Sequence, residues 1–245
     1  MKKRTLWIVL MVLFAASALY SITTIAEDGP SGLIGCVALS IIFGILAKRT
    51  DPDARFKTRG RKPKQGSIIC GDYTAVDLET TGFSPAKDRI IEFGAVRVRN
   101  GKPVKTYSLL INPEREIPAA VTRLTGIDDT DVNGQPTEAQ ALPEFLKFIG
   151  NDVLVGHNIN EFDAPFIASA ATRLGLHIPA NNTIDTLILS RAIFPNEKRH
   201  RLVDLIRRFG IAQVETHRAA DDALQTAQCY EYIKNYIKQN HIKIK

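Results

Sequence analysis

Asp77 and Glu79 stand two residues apart in Asp77-Leu78-Glu79-Thr80-Thr81-Gly82, and their type and spacing suit chemistry. The run before them, Tyr73-Thr74-Ala75-Val76, is apolar-rich and β-prone. On a strand, residues i and i+2 share a face, so both carboxylates should project together. Like charges that close repel unless protonated or neutralised by a cation. Hard divalent ions such as Mg²⁺ or Mn²⁺ favour oxygen ligands of this kind. The plainer alternative is a solvated strand end turning at Thr81-Gly82. Three further residues bear on the choice. Asp163 follows the apolar run Val153-Leu154-Val155-Gly156 and the segment His157 to Phe162. There it can sit in the first turn of a helix near the sheet end, or simply cap that helix. His217 and Asp222 lie five residues apart in His217-Arg218-Ala219-Ala220-Asp221-Asp222. That spacing is roughly 140° around a helix, so they cannot share a helical face. The workable geometry puts His217 on a loop and Asp222 in the first turns of the helix after it. Both can then point into one site from different directions.

These residues must be held by a folded frame, and the pattern supplies one. Strands are expected at Tyr73–Leu78, at Ile90–Arg99 and at Lys105–Ile111, with Asn100-Gly101 as a hairpin turn. Thr137-Glu138-Ala139-Gln140 has capping-box spacing and opens a helix to about Phe148. Val153–His157 reads as a short buried strand. Helices follow from about Asp163 to Leu174, ending at Gly175, from Asp185 to Ile193, and from Arg201 to Phe209. Thr216 is a candidate cap for a long last helix running past Tyr236. Three consecutive strands followed by alternating helices and strands predict an α/β fold, a mixed sheet covered by helices.

The net charge of +6 is unevenly placed. Residues 1–66 carry 11 Lys/Arg against 4 Asp/Glu, and residues 67–245 carry 21 against 22. The basic character therefore belongs to the N-terminal segment, and a broad basic field over the folded domain is excluded. Cys36, Cys70 and Cys229 form no metal-ligand spacing and no disulfide framework. Leu6–Ala26 is a 21-residue stretch without a charge, and Gly32–Ala47 is a second, 16 residues long. A bilayer core of about 30 Å needs about 20 apolar residues, so the first is long enough and the second is at the short end. Basic residues precede the first and follow the second, and none lies between them. The positive-inside rule then predicts a two-helix transmembrane hairpin within residues 1–47, with both ends cytoplasmic. A signal peptide is the rival reading for the first stretch. Residues 48–66 read as a basic linker, and residues 67–245 as the catalytic domain. The expected location is the inner or plasma membrane, multi-pass, with that domain in the cytoplasm.

Taken together, the motifs resemble the DEDD superfamily of 3′-to-5′ exonucleases, in the histidine branch that includes the proofreading subunit of bacterial replicative polymerases. The first family motif matches at Asp77-Leu78-Glu79-Thr80-Thr81-Gly82, the second from His157-Asn158 to Phe162-Asp163, and the third from His217-Arg218-Ala219 to Asp222-Ala223. Asn112-Pro113, Thr125-Gly126-Ile127 and Asp185-Thr186-Leu187 match secondary signatures. The resemblance spans roughly residues 70–235; the membrane hairpin falls outside it. It implies a ribonuclease-H-like fold and hydrolysis of phosphodiester bonds with two Mg²⁺ or Mn²⁺ ions. Asp77, Glu79, Asp163 and Asp222 would be the metal ligands, and His217 the general base. It also implies that the backbone around Leu78, Thr80 and Thr81 meets the terminal nucleotide, and that Thr125 lies in a segment against the terminal base. His157 and Asn158 read as scaffold. The partner would be a single-stranded 3′ end of DNA or RNA.

Two other functions remain open to the sequence. One is a membrane-tethered binding or adaptor protein without activity, which the presence of all four carboxylates and the histidine disfavours. The other is a proofreading subunit for a polymerase, which the membrane anchor disfavours.

Overall fold

The computed structural model describes residues 69–242. The expected hairpin within residues 1–47 and the linker at 48–66 lie outside the described residues. Among the described residues, no helix is long and apolar enough to cross a membrane. The elements run β1 (Tyr73–Thr80), β2 (Ile90–Arg99), β3 (Lys102–Leu110), α1 (Ala119–Thr125), α2 (Asp129–Val132), α3 (Glu138–Ile149), β4 (Leu154–Gly156), α4 (Asp163–Leu174), β5 (Thr183–Asp185), α5 (Thr186–Ile193), α6 (Leu202–Arg208) and α7 (Ala219–Gln239).

The five strands form one sheet in the order β3-β2-β1-β4-β5. β2 pairs antiparallel with both β1 and β3, while β4 pairs parallel with β1 and β5 parallel with β4. The meander turns at Asn100 and Gly101, with φ of 50° and 72°. Two consecutive left-handed residues match the right-handed twist of the strands they join. β1 lies inside the sheet: β2 pairs with it along its whole length, and β4 pairs with it at Thr74 and Ala75.

Strand alternation divides the sheet into two faces. Val76, Leu78, Phe93 and Ala95 face α3 and α4, where they pack with Leu142, Phe145, Phe166 and Ile167. Phe93 stacks on Phe145 with ring centroids 4.3 Å apart. Tyr73, Ala75, Val96 and Val98 face the other way and pack with Ala223, Ala227, Tyr230 and Ile233 of α7. Each large side chain fully buried in this way contributes about 1.5–3 kcal/mol. The same face of β1 therefore runs from apolar Tyr73 and Ala75 to acidic Asp77 and Glu79. Helix α7 covers the apolar part, and its N-terminus meets the acidic part.

Local signals set most helix ends. Gln140 Oε1 accepts from the Thr137 N–H at 2.9 Å, fixing the start of α3. Gly175, at φ 68°, ends α4 in the left-handed region that glycine adopts at no steric cost. The expected cap at Thr216 is a correction: α7 begins at Ala219, with Arg218 in the cap position and no cap bond from its own side chain. Thr216 instead donates its N–H and its hydroxyl to Asp222 Oδ1, each at 3.3 Å. The third strand also begins earlier than expected, at Lys102, because the tight turn leaves no loop residues to spare.

Candidate active site

β1 carries Asp77 and Glu79 on one face, both partly exposed. In the β1–β2 ladder Asp77 lies opposite Gly94, and Glu79 lies opposite Glu92. Asp163 opens α4 and is 2% exposed. It does not cap that helix, because the cap position is Phe162. The backbone N–H groups of Asp163 and Leu78 favour its charged form, which sets it beside β1. Asp222, in the first turn of α7, is also 2% exposed. His217 sits on the loop before α7 at φ 52°. Ligand atoms of Glu79, His217 and Asp222 lie within 4.8 Å of one another. The loop-plus-first-turn geometry expected for His217 and Asp222 is what the chain adopts.

Electrostatics mark this cluster as short of positive charge. Burial pushes the Asp77 carboxyl well above the usual carboxylate range, and the Asp163, Glu79, Asp222 and Glu215 charges push it further. Glu79 is raised to about 8, chiefly by burial and then by Asp222. Asp163 is raised to about 7, chiefly by burial, although the hydrogen bonds to its charged form pull the other way. Asp222 is raised by burial, against the bonds from Thr216 and His217 that favour its charge. Crowded carboxylates held partly desolvated are costly as anions. A divalent cation relieves that cost, and an all-oxygen set of this kind suits Mg²⁺ or Mn²⁺. The residues present therefore fit the ions that the motifs imply.

The expected nucleotide contacts have other partners as well. The Leu78 N–H faces Asp163 and favours its charged form. Thr80 donates its hydroxyl to the Gly82 carbonyl at 2.6 Å. Thr81 donates its N–H to the Arg89 carbonyl and accepts from the Arg89 N–H, so both groups shape the turn after β1. Thr125 is 5% exposed and bonds Val121 and Ile127 within the turn that ends α1. Its side chain is part of the scaffold, and the exposed neighbour is Leu124. His157 is scaffold as expected. It bonds Thr186, and burial lowers it to about 4.

Three residues escaped the sequence reading. Glu92 is fully buried and accepts from Arg218 Nη2 at 2.9 Å, Arg218 Nε at 3.1 Å and the Ala219 N–H at 3.1 Å. Its signal was a lone carboxylate inside the apolar strand Ile90-Ile91-Glu92-Phe93-Gly94. Glu215 is a further half-buried carboxylate, raised by burial and by Asp222. Phe83, just past Gly82, is 87% exposed and edges against Phe162.

A mixed sheet carrying acids on an inner strand, joined by acids from the starts of two helices, is the arrangement of a ribonuclease-H-like fold. The chain belongs to the exonuclease family RNase_T, whose model matches residues 74–230. It is 42% identical over 175 residues to a PolC-type DNA polymerase III of Caldanaerobacter subterraneus, which covers 71% of this chain and 12% of that one. It is 35% identical over 164 residues to the DNA polymerase III subunit epsilon of Aquifex aeolicus, 67% of this chain and 81% of that one. The chain thus spans about an eighth of the length of the PolC-type relatives it matches. Among solved structures, E. coli Exonuclease I in complex with a dT13 oligonucleotide superposes with a TM-score of 0.62 at 19% identity, over 70% of this chain and 43% of that one. At that identity the likeness concerns the fold.

Proposed function

We propose that this chain is a membrane-anchored, divalent-metal-dependent 3′-to-5′ exonuclease acting on single-stranded 3′ ends, with DNA as the first substrate class and RNA the second. The observation that carries the reading is the convergence of carboxylates from β1, α4 and α7, in which burial and neighbouring acids raise Asp77 and Glu79 and His217 stands beside Glu79 and Asp222. In this reading Asp77, Glu79, Asp163 and Asp222 would hold two divalent ions. Bound there, the ions supply an activated water and stabilise charge on the phosphate and the leaving 3′ oxygen. An imidazole nitrogen of His217 takes the proton of the attacking water. The water oxygen bonds to phosphorus, the bond to the 3′ oxygen breaks, and a nucleoside 5′-monophosphate leaves. Phe83 offers a ring to a base near the end of the strand, and such stacking is worth about 1–3 kcal/mol per base. DNA is placed first because the PolC-type and epsilon relatives are DNA polymerase components by name.

The hairpin at 6–26 and 32–47 would hold the domain at the cytoplasmic face of the membrane, on the charge pattern alone. A second reading, a polymerase proofreading subunit, is favoured by the match to epsilon over 81% of that protein. An inactive adaptor is disfavoured, since the four carboxylates and the histidine are all present. The test is digestion of 5′-labelled DNA and RNA, single- and double-stranded, by the full chain with Mg²⁺, Mn²⁺ or EDTA. Stepwise shortening from the 3′ end, dependent on the metal, is the expected result. Undiminished cleavage in EDTA would remove the two-metal reading.

A further inference from the structure

His217 stands at φ 52°, a left-handed conformation that non-glycine residues rarely adopt. Something must hold it, and the flanking residues show what does. On its N-terminal side, Asp222 accepts from the Thr216 N–H and hydroxyl. On its C-terminal side, the next two residues are both gripped by Glu92. Arg218 donates through Nε and Nη2, and Ala219 donates its backbone N–H. The first turn of α7 has no capping side chain of its own. Glu92 takes that place from another element, so a strand carboxylate caps a helix 127 residues further on. A fully buried carboxylate is costly unless paired and hydrogen-bonded, and here it is both.

We propose that Glu92, acting through Arg218 and the Ala219 N–H, is the positioning residue that holds His217 against the metal-binding carboxylates. Glu92 stands opposite Glu79 in the ladder. The grip on Arg218 therefore fixes the histidine loop to the same patch of sheet that bears the acids. Glu92 bonds the residues that follow His217 rather than His217 itself, and its charge also bears on Glu79. This rests on the exonuclease reading above, in which His217 moves the proton.

The test is a double-mutant cycle in the full chain, reading the single-turnover rate on a 5′-labelled dT oligonucleotide with saturating Mg²⁺. Glu92→Gln keeps the shape but offers the Arg218 guanidinium no charge. It should lower the rate about 100-fold, the scale of an ångström-level misplacement, with half-saturating enzyme concentration unchanged. In a His217→Ala background the same change should cost less than about threefold, because residues that act as a unit are not additive. Arg218→Gln breaks the grip from the half-exposed side and should follow the same pattern, which covers the case in which Glu92→Gln fails to fold. Equal costs in both backgrounds, or a melting temperature that falls in step with the rate, would overturn the positioning role. A wild-type chain without metal-dependent cleavage would remove the exonuclease reading and this role with it, whereas equal costs remove this role alone.

Discussion

Gly94 lies opposite Asp77 in the β1–β2 ladder, and the backbone of Ala219 occupies the space a Gly94 side chain would need. A Cβ there would fall 2.0 Å from the Ala219 carbonyl carbon and 2.3 Å from the Ala220 nitrogen. Only a bare backbone lets the start of α7 approach this close, and Asp222 follows within the first turn. Gly94→Ala should therefore push α7 outward and cost at least about 1–3 kcal/mol, the usual range for overpacking. Metal affinity should fall as well, because Asp222 moves with the helix. Thermal melts with and without Mn²⁺ check both; an unchanged melt would contradict the packing described here.

Asp77→Ala should impair cleavage more than His217→Ala. The strand carboxylate stands at the centre of the acid cluster, whereas a general base contributes about 10²–10⁴-fold. Without His217 the four carboxylates remain, so a residual metal-dependent rate should survive. Single-turnover rates of the two variants decide the order. A His217→Ala enzyme slower than Asp77→Ala would reverse the roles.

Glu79, raised to about 8, and Asp163, raised to about 7, keep their protons in the folded metal-free chain up to near-neutral pH. In the unfolded chain the same groups lose them near pH 4, about their reference values. The folded state thus binds more protons over this window. Its stability is full below about pH 4 and falls as pH rises towards about 8. Melts with a chelator at pH 5 and pH 8 should show the lower value at pH 8, and a divalent ion should restore it. Metal binding at pH 7 should also release protons, seen calorimetrically as a heat that depends on the buffer. A heat that is the same in every buffer would count against these raised values.

The domain should be cleaved by protease in inside-out vesicles and protected in intact cells. The expectation follows from basic residues flanking both uncharged stretches and none between them. Cleavage of the domain from outside intact cells would show that the topology is inverted or that residues 6–26 are a signal peptide.

The long elements were legible because their periodicity is. Helix α4 begins at Asp163 and ends before Gly175, as its apolar spacing and glycine stop predict. The hairpin at Asn100-Gly101 likewise follows from turn chemistry alone. β5, three residues long, and α2, four residues long, carry too few positions for a period to show. Of the acid and histidine residues singled out from the sequence, Glu79, His217 and Asp222 bring ligand atoms within 4.8 Å of one another, and the Asp77 carboxyl is raised by its neighbours Asp163, Glu79 and Asp222. The miss at Thr216 has a different origin. A local cap was expected, but the cap comes from Glu92 on β2, and no window of sequence contains both. Tertiary contacts between distant residues are what a linear reading cannot contain, and Gly94 under Ala219 is a second instance.

Cys70 donates its N–H to the Tyr230 hydroxyl across 160 positions, Tyr73 donates its hydroxyl to Glu231 at 2.8 Å, and Lys234 donates to the Cys70 carbonyl at 2.8 Å. The first strand is thus stitched to the last helix, and β1 and α7 share an apolar cluster. Contacts so far apart in sequence close late, since loop closure must precede them. During synthesis, β1 would leave the ribosome with Asp77 and Glu79 long before Asp222 exists. The acid cluster is completed only when α7 docks. On the proposed roles of these acids, a nascent or truncated chain would lack the means to cut the nucleic acid around it, and the order of folding would itself delay the appearance of a nuclease.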